Sequence, residues 1–157
     1  MYDAKFMRRA IELAAQAIEQ DGAWPYGAVV VKDGRIVGEG MNQSSRTFDP
    51  TSHGEIEAIR DACRKLRTTD LDGADLYTSC EPCPLCVSAM MIARIGKLYY
   101  AATLEQSSRV IPAGKMPAID TMRRELALPT SARTMPSERK LAEESVSVLE
   151  AWARKRV

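Results

Sequence analysis

The chain has 157 residues, 45% hydrophobic and 27% charged, with a formal net charge of +1. That composition belongs to an ordinary globular protein, long enough to bury a core without staples. It gives no electrostatic push toward nucleic acid or an anionic membrane. No apolar run approaches membrane-spanning length, and Met1–Lys5 carries charge without an apolar signal core, so a cytoplasmic protein is expected. Four cysteines, two of them in a C-x-x-C, point to metal or redox chemistry in a reducing compartment rather than to a disulfide framework. One domain spanning residues 1–157 is expected.

A first helix is expected from Asp3 to Gln20. Met7, Ala10, Ile11, Ala14 and Ile18 form its core stripe, Asp3 caps it and Asp21-Gly22 stops it. Trp24 to Gly27 leads into a buried strand, Ala28–Val31, and Asp33-Gly34 makes a two-residue hairpin turn. Arg35 to Met41 returns antiparallel and ends at Asn42. A second helix covers about Gly54–Leu66, with Ile56, Ile59, Cys63 and Leu66 on one face, which makes Cys63 a structural thiol. After a turn at Leu71-Asp72-Gly73, Ala74–Ser79 is a third strand. Leu85–Arg94 is a third helix with Val87, Met90 and Met91 inward, and Lys97–Ala101 a fourth strand. Beyond Thr103 the pattern suggests a loop at Pro112–Lys115, a short helix at Ala118–Leu126 and an edge strand at Ala132–Met135. A last helix, Glu138–Arg154, is capped by Ser137 and carries Leu141, Ser145, Val148, Leu149 and Trp152 along one side. No repeat, low-complexity stretch or linker interrupts the chain. An initial hairpin followed by alternating helices and strands implies an α/β fold: a three-layer α/β/α sandwich around a mixed, roughly five-stranded sheet.

Two short pieces carry the chemistry. His53-Gly54-Glu55 opens the second helix, and Pro82-Cys83-Pro84-Leu85-Cys86 opens the third. Pro84 suits the first helical position, so Cys83 falls at the cap and Cys86 one turn in, facing the same way. A helix N-terminus lowers a thiol's pKa and favours thiolate, the form that binds metal. One imidazole, two thiols and one carboxylate are the set needed for zinc-assisted attack of water.

This pattern, H-x-E followed by P-C-x-x-C, resembles the zinc-dependent nucleobase and nucleoside deaminases of the cytidine-deaminase-like superfamily. Asp49-Pro50-Thr51-Ser52-His53-Gly54-Glu55 and Tyr77-Thr78-Ser79-Cys80-Glu81-Pro82-Cys83-Pro84-Leu85-Cys86 look most like its guanine-deaminase branch. The resemblance runs from about Met1 to Leu104, leaving a divergent part at about 105–157. It implies one Zn²⁺ per chain on His53, Cys83 and Cys86, with Glu55 as the proton carrier in a hydrolytic deamination that releases ammonia. It implies substrate contact by Asn42, whose amide both donates and accepts, and Gly54 and Trp24 are taken as further substrate-contacting candidates. Alanine is usual at position 54 in the relatives, so Gly54 hints at an altered pocket shape or at neutral drift. A homodimer is implied, since relatives commonly dimerise, some by exchanging the C-terminal segment.

Other readings are weighed against this one. A structural zinc cage of His53, Cys80, Cys83 and Cys86 leaves Glu55 and Asn42 unexplained. A thiol–disulfide oxidoreductase would use Cys83 and Cys86. A serine–histidine triad elsewhere is excluded, because His53 is the only histidine. Among deaminases, a transfer-RNA adenosine deaminase calls for a clearer basic surface than this chain offers. A small heterocyclic amine is therefore preferred to nucleic acid, guanine first. Ser107–Ile111 stands where the guanine branch has an acidic stretch, and the chain ends in Val157 rather than an aromatic residue, so cytosine, an amino-triazine, a pterin and a modified purine stay open.

Overall fold

The structure, a computed structural model, describes residues 1–111 and 118–155. The expected loop at Pro112–Lys115 lies outside the described residues, as does Arg156. The chain falls into two compact units, Met1–Met116 and Pro117–Val157.

In the first unit, α1 (Ala4–Ala15) is capped by the Asp3 carboxylate and runs into a 3₁₀ turn, Gln16–Glu19. Strands β1 (Trp24–Lys32) and β2 (Arg35–Asn42) form the expected hairpin, with Asp33 and Gly34 both at positive φ. A short helix, α2 (Ser44–Thr47), precedes α3 (Gly54–Leu66); β3 (Asp75–Cys80), α4 (Pro84–Ile92), β4 (Lys97–Ala102) and α5 (Leu104–Val110) follow. The sheet order is β2-β1-β3-β4, with β1 antiparallel to both neighbours and β3 parallel to β4.

Alternation along β1 divides the core. Val29 and Val31 face α1 with Phe6, Met7, Leu13 and Tyr77, whereas Ala28 and Val30 face α3 and α4 with Ala58, Ala62, Leu76 and Met90. The expected mixed sheet between helical layers is therefore present. Glycines set the spacing of those layers. A Cβ on Gly40 would lie 2.3 Å from the backbone of both Ala58 and Gly54, one on Gly38 2.3 Å from Ala58 O, and one on Gly27 2.4 Å from Ala10 O.

Among the described residues four strands stand where about five were expected. Residues 132–135 form no edge strand, because their polar groups are drawn to α6 (Ile119–Ala127) instead of to a ladder. Arg133 Nε donates to the carbonyls of Glu125 and Leu128, and Thr134 bonds the Glu125 carboxylate through both N–H and hydroxyl. The last helix, α7 (Ala142–Arg154), begins four residues later than expected, after Leu141 in a left-handed conformation; the Ser137 hydroxyl donates to Thr130 O rather than capping it.

Inward assignments on two helices also change. Ile11 and Ile18 are exposed: the buried stripe of α1 is Phe6, Met7, Ala10, Leu13 and Ala14, and Ile18 falls in the 3₁₀ turn, off that stripe. On α4, Cys86 and Met90 form the buried row, four residues apart, which turns Val87 and Met91 outward. Cys63 is half-buried against the α3-side core, while Leu66 is exposed.

Candidate functional site

His53 is the residue before the first turn of α3, and Cys83 holds the same position on α4, with Pro84 at the first helical position. Glu55 falls in the first turn of α3 and Cys86 in the first turn of α4. Both helices lie on the same face of the sheet, so their N-termini converge. His53 Nδ1 is 3.5 Å from Cys83 Sγ and 3.4 Å from Cys86 Sγ, and the two sulfurs are 3.7 Å apart. Tetrahedral zinc with ordinary bond lengths separates two sulfurs by about 3.8 Å and a sulfur from a nitrogen by about 3.6 Å. The donor set fits zinc in chemistry and in spacing. Among the described residues these three side chains form the one group of this kind.

Cys80 does not join them. Its thiol is turned to Thr103 O at 3.8 Å, and burial raises its pKa. The four-ligand cage considered from the sequence is thus not formed, and three protein donors with an open position is the catalytic pattern. Glu55, only 5% exposed, places Oε2 3.3 Å from Cys86 Sγ and Oε1 3.1 Å from Thr78 Oγ1, beside the trio but not part of it.

The electrostatics follow from that crowding. Hydrogen bonding from Cys86, then from His53, pulls the Cys83 thiol down to about 4. The Cys86 thiol is pushed up, first by holding the proton it shares with Cys83, then by burial. The Cys83 sulfur raises the His53 imidazole, and burial raises the Glu55 carboxyl. A carboxyl lifted by desolvation is suited to carrying protons near neutral pH.

A network around residues 43–60 holds the loop that carries His53. Arg60 bonds Glu57 at 2.6 Å, and Glu57 accepts from the Ser52 hydroxyl at 2.8 Å. Ser52 O accepts from Gln43 N at 2.9 Å, tying the His53 loop to the end of β2. This group was not singled out from the sequence; the i, i+3 spacing of Glu57 and Arg60 on α3 is the signal that could have found it. Thr78 was likewise not singled out; its place two residues along from Leu76, hence facing the same layer, is the signal that could have found it.

The substrate candidates gather at the ends of β1 and β2. Asn42 is buried, and its Oδ1 accepts from both the N–H and the hydroxyl of Ser44. Trp24 is paired with Asn42 across the hairpin and donates from Nε1 to Ser45 Oγ. Gly54 has a packing explanation: a Cβ there would lie 2.6 Å from Tyr26 O. Its missing methyl lets α3 rest on β1.

The family described as the cytidine and deoxycytidylate deaminase zinc-binding region matches residues 1–102. Guanine deaminase from Bacillus subtilis (strain 168) is 39% identical over 147 residues, covering 94% of this chain and 91% of that protein. The X-ray structure of guanine deaminase from Bacillus subtilis superposes with a TM-score of 0.85 at 36% identity, covering 98% of this chain and 95% of the other. A tRNA-specific adenosine deaminase from Aquifex aeolicus is 38% identical over 106 residues, covering 68% of this chain and 70% of that protein. The chain belongs to the zinc-binding cytidine and deoxycytidylate deaminase family. It is a hydrolytic deaminase with zinc as its cofactor, built on the cytidine-deaminase-like fold.

Proposed function

We propose that this deaminase acts on free guanine, hydrolysing it to xanthine and ammonia, with zinc held by His53, Cys83 and Cys86. The observation that carries the guanine reading is coverage. Likeness to the guanine deaminase extends over 94% of this chain, whereas likeness to the tRNA-specific adenosine deaminase spans 68%. That near-complete coverage also supports reading residues 1–157 as one deaminase domain. A net charge of +1 offers little to a polyanionic substrate.

When bound, zinc supplies a Lewis acid that makes water nucleophilic near neutral pH. Glu55 accepts the attacking water's proton and passes it to the ring nitrogen beside the carbon that bears the amino group. It then takes the proton of the hydroxyl added to that carbon and delivers it to the departing amine as the C–N bond breaks, and ammonia leaves. The burial that raises its pKa makes both transfers accessible. Asn42 supplies an amide donor toward a substrate carbonyl, and Trp24 borders the same strand ends.

Homodimerisation fits α4, which has no charged residue and leaves Val87, Met91 and Ile92 exposed. Four free cysteines suit a reducing cytoplasm, and no described helix is long and apolar enough to cross a membrane.

The test is a panel of amines, comprising guanine, cytosine, a pterin, an amino-triazine and a transfer RNA, offered to zinc-loaded wild type and Glu55→Gln. Guanine should release ammonia fastest, and Glu55→Gln should keep its zinc while turnover falls about a thousandfold. Turnover of transfer RNA but not guanine overturns the substrate; an active Glu55→Gln overturns the proton carrier.

A further inference from the structure

Thr78 stands near the end of β3, on the sheet face covered by α3 and α4, and is 1% exposed. Its Oγ1 is 3.1 Å from Glu55 Oε1 and 3.4 Å from Gly27 O. The second carboxylate oxygen, Oε2, is the one 3.3 Å from Cys86 Sγ. The two oxygens of one carboxylate thus have separate partners: one toward the sheet, one toward the trio of donors.

A threonine hydroxyl has a single proton to give. A carboxylate is the stronger acceptor of the two within reach, because the bond to it is charge-assisted. The last torsion of a glutamate is soft, so an unanchored carboxylate turns freely. Threonine is the opposite, stiff at χ1 through its branched Cβ. Its backbone is held in the ladder opposite Ala28, and its neighbour two residues back, Leu76, is fully buried. The anchor is therefore rigid and the anchored group mobile.

We propose that Thr78 is the positioning residue for Glu55: its hydroxyl holds Oε1 against the sheet, so that Oε2 alone is presented to the reacting side and the carboxylate stays out of the metal's coordination. The second half matters because a carboxylate oxygen is itself a zinc ligand. One so close to Cys86, if released, can become a fourth protein ligand and convert an open site into a closed one. The proposal rests on the reading of Glu55 as proton carrier.

The experiment uses Thr78→Val, which keeps the shape and removes the hydroxyl, with Thr78→Ser as the conservative variant and Glu55→Gln alongside. Ammonia release from guanine gives kcat and KM. The visible absorption of the cobalt-substituted proteins reports coordination independently of turnover. Thr78→Val should lose about tenfold in kcat with KM within about twofold, and its cobalt spectrum should depart from wild type. Thr78→Ser should recover most of kcat and the wild-type spectrum. Wild-type kcat or a wild-type cobalt spectrum in Thr78→Val, or a loss that Thr78→Ser does not repair, overturns the role of Thr78 while an inactive Glu55→Gln leaves the proton carrier standing. An active Glu55→Gln removes both. Should Thr78→Val not fold, Thr78→Ala carries the same expectations.

Discussion

Residues 1–111 and 118–155 differ in what they bury. Among the described residues the first stretch holds every strand and every fully covered side chain, from Val29 and Val30 in β1 to Leu71, Leu76 and Tyr77. In the second, no described residue is buried, and α7 leaves Val148, Leu149 and Trp152 exposed. Helical propensity and periodicity exist in both regions, but only the first turns them into removed apolar surface. Most of a helix's stability in a protein comes from that removal rather than from propensity. The family match, residues 1–102, lies within the stretch that has the core.

Four perturbations test this contrast. Cys86→Ala, at the heart of the first region, should lower zinc content well below one per chain and abolish turnover; metal analysis beside ammonia release checks it, and retained zinc with full activity would contradict the ligand set. Leu76→Ala should cost about 3 kcal/mol by urea unfolding, as expected for a large side chain deleted from a closed core. Glu39→Gln probes an intermediate case, the bidentate pair in which Arg9 Nε and Nη2 meet the Glu39 carboxylate at 2.7 and 2.8 Å. Hydrogen bonding from Arg9 holds the Glu39 pKa below its ordinary value of 4.5. Its stabilisation is therefore complete above that ordinary value and is lost as pH falls through the lowered one. Since both side chains are about a third exposed, the pair should contribute about 0.5–1 kcal/mol at neutral pH, visible as an acid-side drop in stability that Glu39→Gln lacks. Leu149→Ala should change stability by less than about 0.5 kcal/mol. A cost like that of Leu76→Ala would mean the apolar row of α7 is covered in solution.

The same contrast explains what was legible in the sequence. The hairpin, α3, β3 and the two helix N-termini were readable because turn chemistry, capping position and apolar pattern agree there. Cys83 and Cys86 face one way for the reason the spacing implied, a proline-started helix. The rotation of α4 was not readable, since Pro84–Ile92 is apolar nearly all round and offers no polar face to mark the outside. The short helix α2 was missed because Ser44–Thr47 has no apolar residue to mark a period. The supposed edge strand at 132–135 failed because Glu125 captures its backbone, a contact that no local pattern announces. Long-range contacts such as Thr78 to Glu55, 23 residues apart, are likewise invisible to periodicity.

Gly38 and Gly40 leave α3 no clearance from β2. A helix pressed this closely onto its sheet can neither slide nor tilt to make room for a bulkier ligand. Adapting this protein to a new heterocycle by directed evolution should therefore yield changes in the loop that leads to His53, at positions 43–52, while libraries built on the helix–sheet contact return mostly unfolded clones.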